Sequence, residues 1–434
     1  MKKLIAAFVL ICLLQIVLAE NEDDLIKNIK HTFLVPDDYP TIQEAIDHSF
    51  DDDRILVRPG IYTENINFNG TDLVLMSLNA AKKDTSFISR TIIKGTGKKS
   101  VVRFSDNETS AARLIGFTIT GGIGTYDNPA YNTIILSSDE YQQDILRADT
   151  SKHFGGGIYC SYANPILKNL IISGNTADMG GGLFLYNSNA GLENILIEGN
   201  EAFESGGGSC FYSSNPRIED TRIQNNISDD GAGISCIFNS SPHFIRTEIN
   251  LNTASQNGGG VYCSLNSNPT FKNTLFIENG SNTGGALYCY RSSPYLENVT
   301  ISANSANNYT AGIYCFDDSN PIIMNSIIWQ NMRGEISFSN KFRQSSVTIS
   351  YSDVYSGKAG INNSYNGSVD WKEGNIERYP IFAENYELIM GSPCQNTGNP
   401  KKQFDDKDKS QNDMGAFGGP NGDIGFWFGK MYPD

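Results

Sequence analysis

Residues 155–160 read Gly155-Gly156-Gly157-Ile158-Tyr159-Cys160, a glycine triplet followed by alternating side chains. Triplets of small residues recur along the chain at successive spacings of 25, 26, 25, 27, 26 and 26 residues. The seven triplets begin at Gly155, Gly180, Gly206, Gly231, Gly258, Gly284 and Thr310. A fixed period of this size is the sequence signature of a repeat architecture. The sequence therefore predicts one elongated repeat domain.

Each repeat has the same internal order. In the first, a strand beginning at Ile158 is followed by a turn at Asn164-Pro165, a second strand ending at Asn169, and a third ending at Asn175. Three short strands with tight turns fit one coil of this length. Stacked coils pair each strand with its copy in the next coil, about 4.8 Å away. This order predicts a parallel β-helix.

Two columns of polar residues fall at fixed places in the repeat. An Asn side chain carries both a donor and an acceptor, so a buried column of Asn amides can satisfy itself. Asp220 and Arg246 interrupt the first column in consecutive coils, and we expect them to pair. The first column is Asn169, Asn194, Asp220, Arg246, Asn273, Asn298 and Asn325, and the second is Asn175, Asn200, Asn226, Asn252, Asn279, Asn304 and Asn331.

A leucine-rich repeat is the alternative fold. The residues from Leu167 to Asn175 and from Leu296 to Asn304 match its consensus, and the period lies within its range. That fold needs a helix or extended segment in the other half of each repeat. Here that half holds a glycine triplet, an alternating strand and usually an Asn-Pro or Ser-Pro turn, which oppose a helix.

The first 19 residues are typical of a secretory signal peptide. Lys2 and Lys3 precede an apolar run from Leu4 to Val17, and Ala19 supplies a small residue for cleavage. No later segment is long and apolar enough to span a bilayer. The formal net charge of −15 disfavours nucleic acid and anionic lipid as partners. We expect a secreted protein, extracellular or at the cell surface, monomeric and not inserted in a membrane.

The cysteines are predicted to be small core residues. Cys236, Cys263, Cys289 and Cys315 recur at one place in consecutive repeats. Neighbours in such a column lie about 4.8 Å apart, beyond the Cβ distance that a disulfide prefers. Four scattered histidines offer no zinc site.

Both ends of the chain resemble known β-helix proteins. Residues 35–46, from Val35-Pro36 to Ala45-Ile46, and residues 53–66 resemble the N-terminal capping helix and first coil of the pectin-lyase-like superfamily. Its Gly60-x-Tyr62-x-Glu64 piece also occurs in pectin methylesterases. Residues 392–400 and 412–419 resemble the end of bacterial secreted right-handed parallel β-helix repeat proteins. The glycine repeats are similar to those of polymorphic outer-membrane proteins.

The repeats and the resemblance together predict an all-β fold, a right-handed three-stranded parallel β-helix of about ten coils with an N-terminal capping helix. The predicted organisation is a signal peptide at 1–19, a linker at 20–32, the N-cap and first coils at 33–123, an inserted loop at 124–154, seven repeats at 155–345, and final coils with a C-terminal cap at 346–434. An insertion in a rigid solenoid usually lies on its working side, so residues 124–154 are a candidate lid.

Alternation in the first strand of each repeat predicts which side chains face outward. Two outward columns hold fourteen residues, of which nine are aromatic, whereas 11% of the whole chain is aromatic. One explanation is cross-strand stabilisation of the sheet. The other is a platform that binds polysaccharide, since sugar rings present apolar faces to aromatic rings. The nine candidate substrate-binding residues are Tyr159, Phe184, Tyr186, Tyr212, Tyr262, Tyr288, Tyr290, Tyr314 and Phe316.

The catalytic motifs of the similar enzymes are missing. The paired aspartates and Leu-Gly-Arg-Pro-Trp of pectin methylesterases are absent, and Asp229-Asp230 lacks the later Gly-His-Gly and Arg-Ile-Lys of polygalacturonases. Arg291, Asp317 and Asp318 follow the aromatic strands and are weak catalytic candidates. Two adjacent aspartates on a turn, such as Asp317 and Asp318, are more often simply solvated.

A loop near the C-terminus has oxygen donors at a spacing that suits calcium. Asp406, Asp408 and Asp413 are the candidate ligands, although the central Gly and terminal Glu of an EF-hand loop are missing. A solvated loop is the alternative. No organic cofactor is expected.

The predicted function is that of a secreted or surface polysaccharide-binding β-helix protein. Activity as a polysaccharide lyase or glycoside hydrolase is left open, because similar folds carry many unrelated functions. The alternative is a non-enzymatic surface adhesin or structural repeat protein.

Overall fold

A computed structural model describes residues 30–78, 80, 85–127, 152–362 and 367–422. They form an all-β parallel solenoid of about 12 turns with little helix. The predicted count of about ten coils is too low, because four sheet strands between Thr32 and Ile115 already stack in register before the first glycine triplet. The predicted signal peptide at 1–19 lies outside the described residues.

Within the described residues three sheets run along the solenoid, and we number them 1 to 3; the strand counts given for them refer to these residues. Sheet 1 has eleven strands and contains the strand that follows each glycine triplet. Its strands are Ile66–Asn67, Val102–Phe104, Ile158–Ser161, Leu183–Tyr186, Ser209–Tyr212, Ile234–Ile237, Val261–Ser264, Leu287–Tyr290, Ile313–Phe316, Ile336–Phe338 and Ile361–Asn362.

Sheet 2 has eighteen strands and combines the second and third predicted strands of each repeat. In the first complete repeat they form one strand, Ile166–Ser173, that bends at Asn169, where φ is 54°. The strands are Thr32–Val35, Arg54–Val57, Gly60–Thr63, Val74–Ser77, Thr91–Lys94, Arg113–Ile115, Thr118–Thr120, Ile166–Ser173, Gly191–Glu198, Arg217–Gln224, His243–Asn250, Thr270–Ile277, Tyr295–Ser302, Ile322–Met324, Ile327–Trp329, Ser345–Ser350, Asp353–Val354 and Gly367–Trp371.

Sheet 3 has eight strands, and the sequence did not predict them. They lie between the second Asn column and the glycine triplets, in segments too polar and short to show a clear alternation. The strands are Thr125–Tyr126, His153–Phe154, Thr176–Met179, Glu201–Ser205, Ile227–Asp230, Thr253–Asn257, Gly280–Ser281 and Ser305–Ala306.

Helical structure is short. Within the described residues there is one α-helix, Ile42–Asp47, which begins after Thr41, whose hydroxyl accepts a hydrogen bond from the Glu44 amide. Ile42, Ala45 and Ile46 join the main apolar core. The 3₁₀-helices are Thr85–Arg90, Gly357–Gly360 and Lys402–Phe404. The leucine-rich-repeat alternative is wrong, since the described repeats contain no helix and form three parallel sheets.

The interior is an apolar core along the solenoid. The predicted inward residues of sheet 1, such as Ile158 and Leu183, are fully buried in it. Cys236, Cys263, Cys289 and Cys315 are also buried there as free thiols, which confirms the prediction that they act as small core residues. Burial raises the pKa of the last three thiols well above the ordinary value.

The glycine triplets bring sheet 3 back onto sheet 1. The first glycine of six triplets takes φ between 57° and 71°. A Cβ at Gly258 would clash with the carbonyl oxygen of Val261, so the turn has no room for a side chain. Thr310 stands at this position in the seventh triplet and does not have a positive φ. The backbone conformation of this turn at the seventh triplet therefore differs from that at the other six.

The second Asn column forms the predicted ladder. The Asn175 Nδ2 group donates to Asn200 Oδ1 at 3.0 Å, and the same bond repeats in each of the next five steps, up to Asn304 and Asn331. In the first column, Arg246 and Asp220 form the predicted ion pair, with an Arg246 Nη2 to Asp220 Oδ2 distance of 2.9 Å.

The C-terminal segment, residues 380–419, returns along the outer face of sheet 2. Asn273 Nδ2 donates to the carbonyl oxygens of Ala416 and Gly418, at 3.0 and 2.6 Å. Cys394 and Met414 pack with Trp329 in a separate apolar cluster. This segment therefore lies beside the middle and last coils, and the first Asn column anchors it there.

Candidate functional site

The aromatic columns of sheet 1 face away from the main core, as predicted, but most of them are not open to solvent. Tyr159 and Phe184 are fully buried, and Tyr186 and Tyr212 are 1% and 3% exposed. They form a second apolar cluster with Phe154, outside the core. The prediction of an open platform is wrong for these four residues.

These four side chains are buried because they are covered by sheet 3, which was not predicted from the sequence. Phe154 of sheet 3 packs on Phe184 with ring centroids 4.8 Å apart, and Met179 also contacts this cluster. The hydroxyl of Tyr159 donates to Asp127 at 2.5 Å. Burial, with this hydrogen bond to Asp127, raises the pKa of Tyr159. Side chains therefore fill the angle between sheets 1 and 3 along the first repeats.

The later repeats are arranged differently. Tyr262, Tyr288 and Tyr314 stack at ring-centroid separations of 5.5 Å, with interplanar angles of 18° and 21°. Tyr262, Tyr288 and Phe316 are partly buried, and Tyr290 and Tyr314 are 9% and 8% exposed. The prediction of solvent exposure is therefore also wrong for Tyr290 and Tyr314.

A groove of about 540 Å³ opens where this stack ends. Tyr314 pairs in register with Ser337 of the next coil, and Ser337 pairs with Asn362. The rings are thus replaced by small polar side chains, which leaves space beside Tyr314. Of the nine predicted binding residues, Tyr288, Tyr314 and Phe316 line this groove.

Tyr309 is the most exposed aromatic residue of the groove. It is 55% exposed, and its ring centroid lies 5.5 Å from that of Tyr314. The alternation of the sheet 1 strands does not predict Tyr309 as a binding residue, because it lies outside those strands. Its position directly before Thr310, the one triplet start without glycine, is a signal that could have identified it.

The rest of the groove is polar. Asn308 and Asn340 contribute amides, and Thr310 shares a 2.5 Å hydroxyl hydrogen bond with Ser337. The described lining residues include two exposed cations and no carboxylate. Those cations, Arg333 and Lys341, form no ion pair with a described residue. The groove is therefore locally basic in an acidic chain, and neither cation was predicted from the sequence.

The three weak catalytic candidates lie on a turn outside this groove. Arg291 Nε donates to Asp317 Oδ2 at 2.5 Å, and Arg343 Nε donates to Asp317 Oδ1 at 3.1 Å. Arg343 also pairs with Asp318 at 3.0 Å. Burial alone would raise the pKa of Asp317, but the hydrogen bonds from Arg291 and Arg343 outweigh it and hold this pKa below its ordinary value. The geometry favours a structural ion-pair role.

The three calcium candidates hydrogen-bond their own loop. Asp406 Oδ2 accepts from the Asp413 amide at 3.0 Å, Asp408 Oδ1 from the Ser410 amide at 2.9 Å, and Asp413 Oδ1 from the Asn396 amide at 2.6 Å. Among the residues that the structure describes, no three His, Cys, Asp or Glu side chains are grouped to hold a metal. Calcium binding by these three carboxylates stays a prediction.

The ends of the inserted loop join sheet 3. Thr125–Tyr126 pairs antiparallel with His153–Phe154, so the loop at 124–154 leaves and re-enters beside the buried aromatic cluster. Its residues 128–151, with Tyr131 and Tyr141, lie outside the described part of the chain, and the lid stays a prediction. In the described residues no helix has the length and apolar character needed to cross a membrane.

Comparison with known proteins identifies the fold family. The sequence matches the family model described as "Right handed beta helix region" over residues 107–276 and 248–377. No curated protein matches the sequence significantly.

Several solved structures are similar at low identity. Pectate lyase Pel9A is 13% identical over 90% of this chain and 98% of its own, with a TM-score of 0.39. The Siphovirus 9NA tailspike receptor binding domain is 11% identical over 84% of this chain and 79% of its own, with a TM-score of 0.29. Pectin methylesterase PemA from Erwinia chrysanthemi is 13% identical over 84% of this chain and 93% of its own, with a TM-score of 0.26. These TM-scores support no inference about activity. Since the family model spans more than half of the sequence, the chain belongs to the right-handed β-helix family.

Proposed function

We propose that this protein binds a polysaccharide in the groove beside Tyr314. The observation that carries the proposal is the end of the Tyr262–Tyr288–Tyr314 stack, where Ser337 and Asn362 replace the rings and open a space of about 540 Å³. A sugar ring has apolar C–H faces and a polar edge. The groove offers aromatic rings for the faces and amides and hydroxyls for the edge.

The charge of the groove favours an acidic saccharide. Arg333 and Lys341 can pair with carboxylate or sulfate groups of a ligand, since no described carboxylate already neutralises them. The two side chains would supply the positive charge that a polyanion needs to approach a chain with a net charge of −15. This arrangement requires no bound metal ion.

The proposal is one of binding and assigns no chemical step. The described lining residues contain no carboxylate that could act as acid or base, and Asp317 is held in an ion-pair network outside the groove. A role at the cell surface or in the extracellular space is also proposed, on the signal peptide predicted at residues 1–19.

Calorimetry against a panel of polygalacturonate, alginate, hyaluronan, chondroitin sulfate and neutral dextran tests the proposal. We expect at least one acidic glycan to bind and Tyr309→Ala to weaken it by at least about tenfold, because exposed aromatic anchors carry much of the energy at binding sites. Tyr162→Ala is the matched control, since Tyr162 is 56% exposed but lies outside the groove. Equal loss in both variants, or no binding to any glycan, contradicts the proposal.

A further inference from the structure

We propose that the groove recognises the end of a saccharide chain and not an internal segment. This inference rests on the proposed function and concerns the same site. It follows from what bounds the groove, because an internal sugar carries linkages on both sides and needs two exits, whereas a terminal sugar needs one.

The first boundary lies behind the aromatic stack. The groove runs back past Tyr314 and Tyr288 to Asn257 and Thr283, whereas Tyr262, which stacks behind Tyr288, is not part of its lining. The ring of Tyr288 lies against one face of Tyr314, at 5.5 Å, so no sugar fits between these two rings. A saccharide in the groove can therefore extend no farther toward the preceding coils than Tyr288.

In the coils that precede the stack, side chains fill the angle between sheets 1 and 3. Tyr212 packs on Phe238 with ring centroids 4.7 Å apart, and Ile237 is 8% exposed. Ser205 of sheet 3 donates to Ser235 of sheet 1 at 2.7 Å, and Ser235 is fully buried. No groove floor is exposed at these described coils, so an extended chain would find no continuous path along the solenoid.

The second boundary is the side formed by sheet 3 and the turns that follow it. Asn308, Tyr309 and Thr310 stand on this side, and Thr310 is hydrogen-bonded to the floor at Ser337. Arg333 lies on the same side of the next coil. The opposite side ends in the exposed residues Asn340 and Lys341, which leave an exit to solvent.

The available floor is also short. It runs from Tyr288 through Tyr314 and Ser337 to Asn362, which are successive partners in sheet 1. Three coil spacings correspond to about 14 Å. This length suits a few sugar units that enter past Lys341 and end beside Tyr288 and Asn257 of sheet 3.

The experiment counts bound protein against chain length. Polygalacturonate and chondroitin sulfate are each prepared as a long fraction and as a much shorter fraction obtained by partial depolymerisation. Calorimetry gives the number of protein molecules bound per gram of glycan. For an end-binding groove this number rises in proportion to the number of chain ends, while the affinity per site stays constant.

If the number of protein molecules bound per gram of glycan is the same for the long and short fractions, and each long chain carries many protein molecules, the inference is wrong. The proposed function would still stand. Absence of binding to both fractions of both glycans, and to the rest of the panel, overturns the proposed function and the inference with it. Two results together support the proposed function and the inference. The number of wild-type protein molecules bound rises with the number of chain ends, and Tyr309→Ala weakens binding whereas Tyr162→Ala does not.

Discussion

The side chain of Asn226 donates from Nδ2 to Asn252 Oδ1, its counterpart one coil later, at 3.0 Å. The backbone amide of Asn226 donates to the same oxygen at 3.0 Å. Asn252 in turn donates to Asn279 Oδ1 at 3.0 Å and to the carbonyl oxygen of Ile223 at 2.9 Å. Each buried Asn thus satisfies polar groups in two neighbouring coils, and the ladder holds the stack in register.

Removing one amide from the ladder should destabilise the solenoid. Asn252→Ala leaves the donors of Asn226 and the acceptor of Ile223 buried without a partner, so we expect a loss of about 3 kcal/mol in the free energy of unfolding. Urea denaturation measures it. Asn307→Ala is the control, since Asn307 is exposed and makes a single side-chain bond to Asn282. Equal stability of the two variants would contradict a structural role for the ladder.

The ladder ends at Asn331, whose backbone amide donates to Glu335 Oε1 at 3.2 Å. Burial raises the pKa of Glu335 from its ordinary 4.5 to about 7. The folded state therefore binds this proton more tightly than the unfolded state. Stability from this group is fully present below pH 4.5 and is lost as the pH rises through about 7. The loss is on the order of 3 kcal/mol.

Urea midpoints for wild type and Glu335→Gln, measured from pH 4.5 to above pH 7, test this dependence. The amide introduced by this substitution carries no titrating proton, so the variant should lose less stability than wild type over that range. A parallel pH dependence in the two proteins would show that Glu335 does not titrate there.

The C-terminal segment should loosen when one of its anchors is removed. Asn298 Nδ2 donates to the carbonyl oxygen of Asp413 at 2.9 Å and to Asn412 Oδ1 at 3.2 Å. We expect Asn298→Ala to speed proteolytic cleavage within residues 394–419. Asn194→Ala is the matched control, because Asn194 holds the same position in an earlier coil. Its φ is 54°, against 52° for Asn298, and among the described residues its side chain hydrogen-bonds only to Asn169. Similar cleavage in both variants would contradict the anchoring role.

The two groove cations should control binding of acidic glycans. We expect Arg333→Gln and Lys341→Gln each to weaken binding by about 1 kcal/mol, or roughly fivefold, and to reduce its salt dependence. The control is Lys401→Gln, an exposed cation on the C-terminal segment. Calorimetry at low and high salt measures both effects. Unchanged affinity in both groove variants would remove the electrostatic part of the proposed function.

The parts of the fold that follow a strict period could be predicted from the sequence. The columns of Asn175 and Cys236 repeat at one position per coil, and stacking places such residues in contact whatever the local detail. The ion pair between Asp220 and Arg246 could be predicted for the same reason, since adjacent coils bring equivalent positions together.

The groove could not be predicted because it depends on how two sheets meet. Alternation shows that Tyr159 points away from the core, but not that sheet 3 covers it. Sheet 3 strands such as Glu201–Ser205 and Ile227–Asp230 are short and have no apolar alternation. Tyr309 and Arg333 lie on turns outside the repeated strands, so no periodicity relates them to Tyr314. Only the three-dimensional stacking of the coils brings these residues to one surface.

Hydrogen–deuterium exchange with and without the acidic glycan that binds most tightly tests whether the ligand occupies the groove beside Tyr314. We expect slower exchange confined to residues 308–316 and 333–341, the turns and strands that line the groove. Residues 159–212, where the aromatic cluster is buried, should exchange at the same rate in both states. Protection of residues 159–212 or of the sheet 2 surface, with none at 308–316 and 333–341, would contradict it.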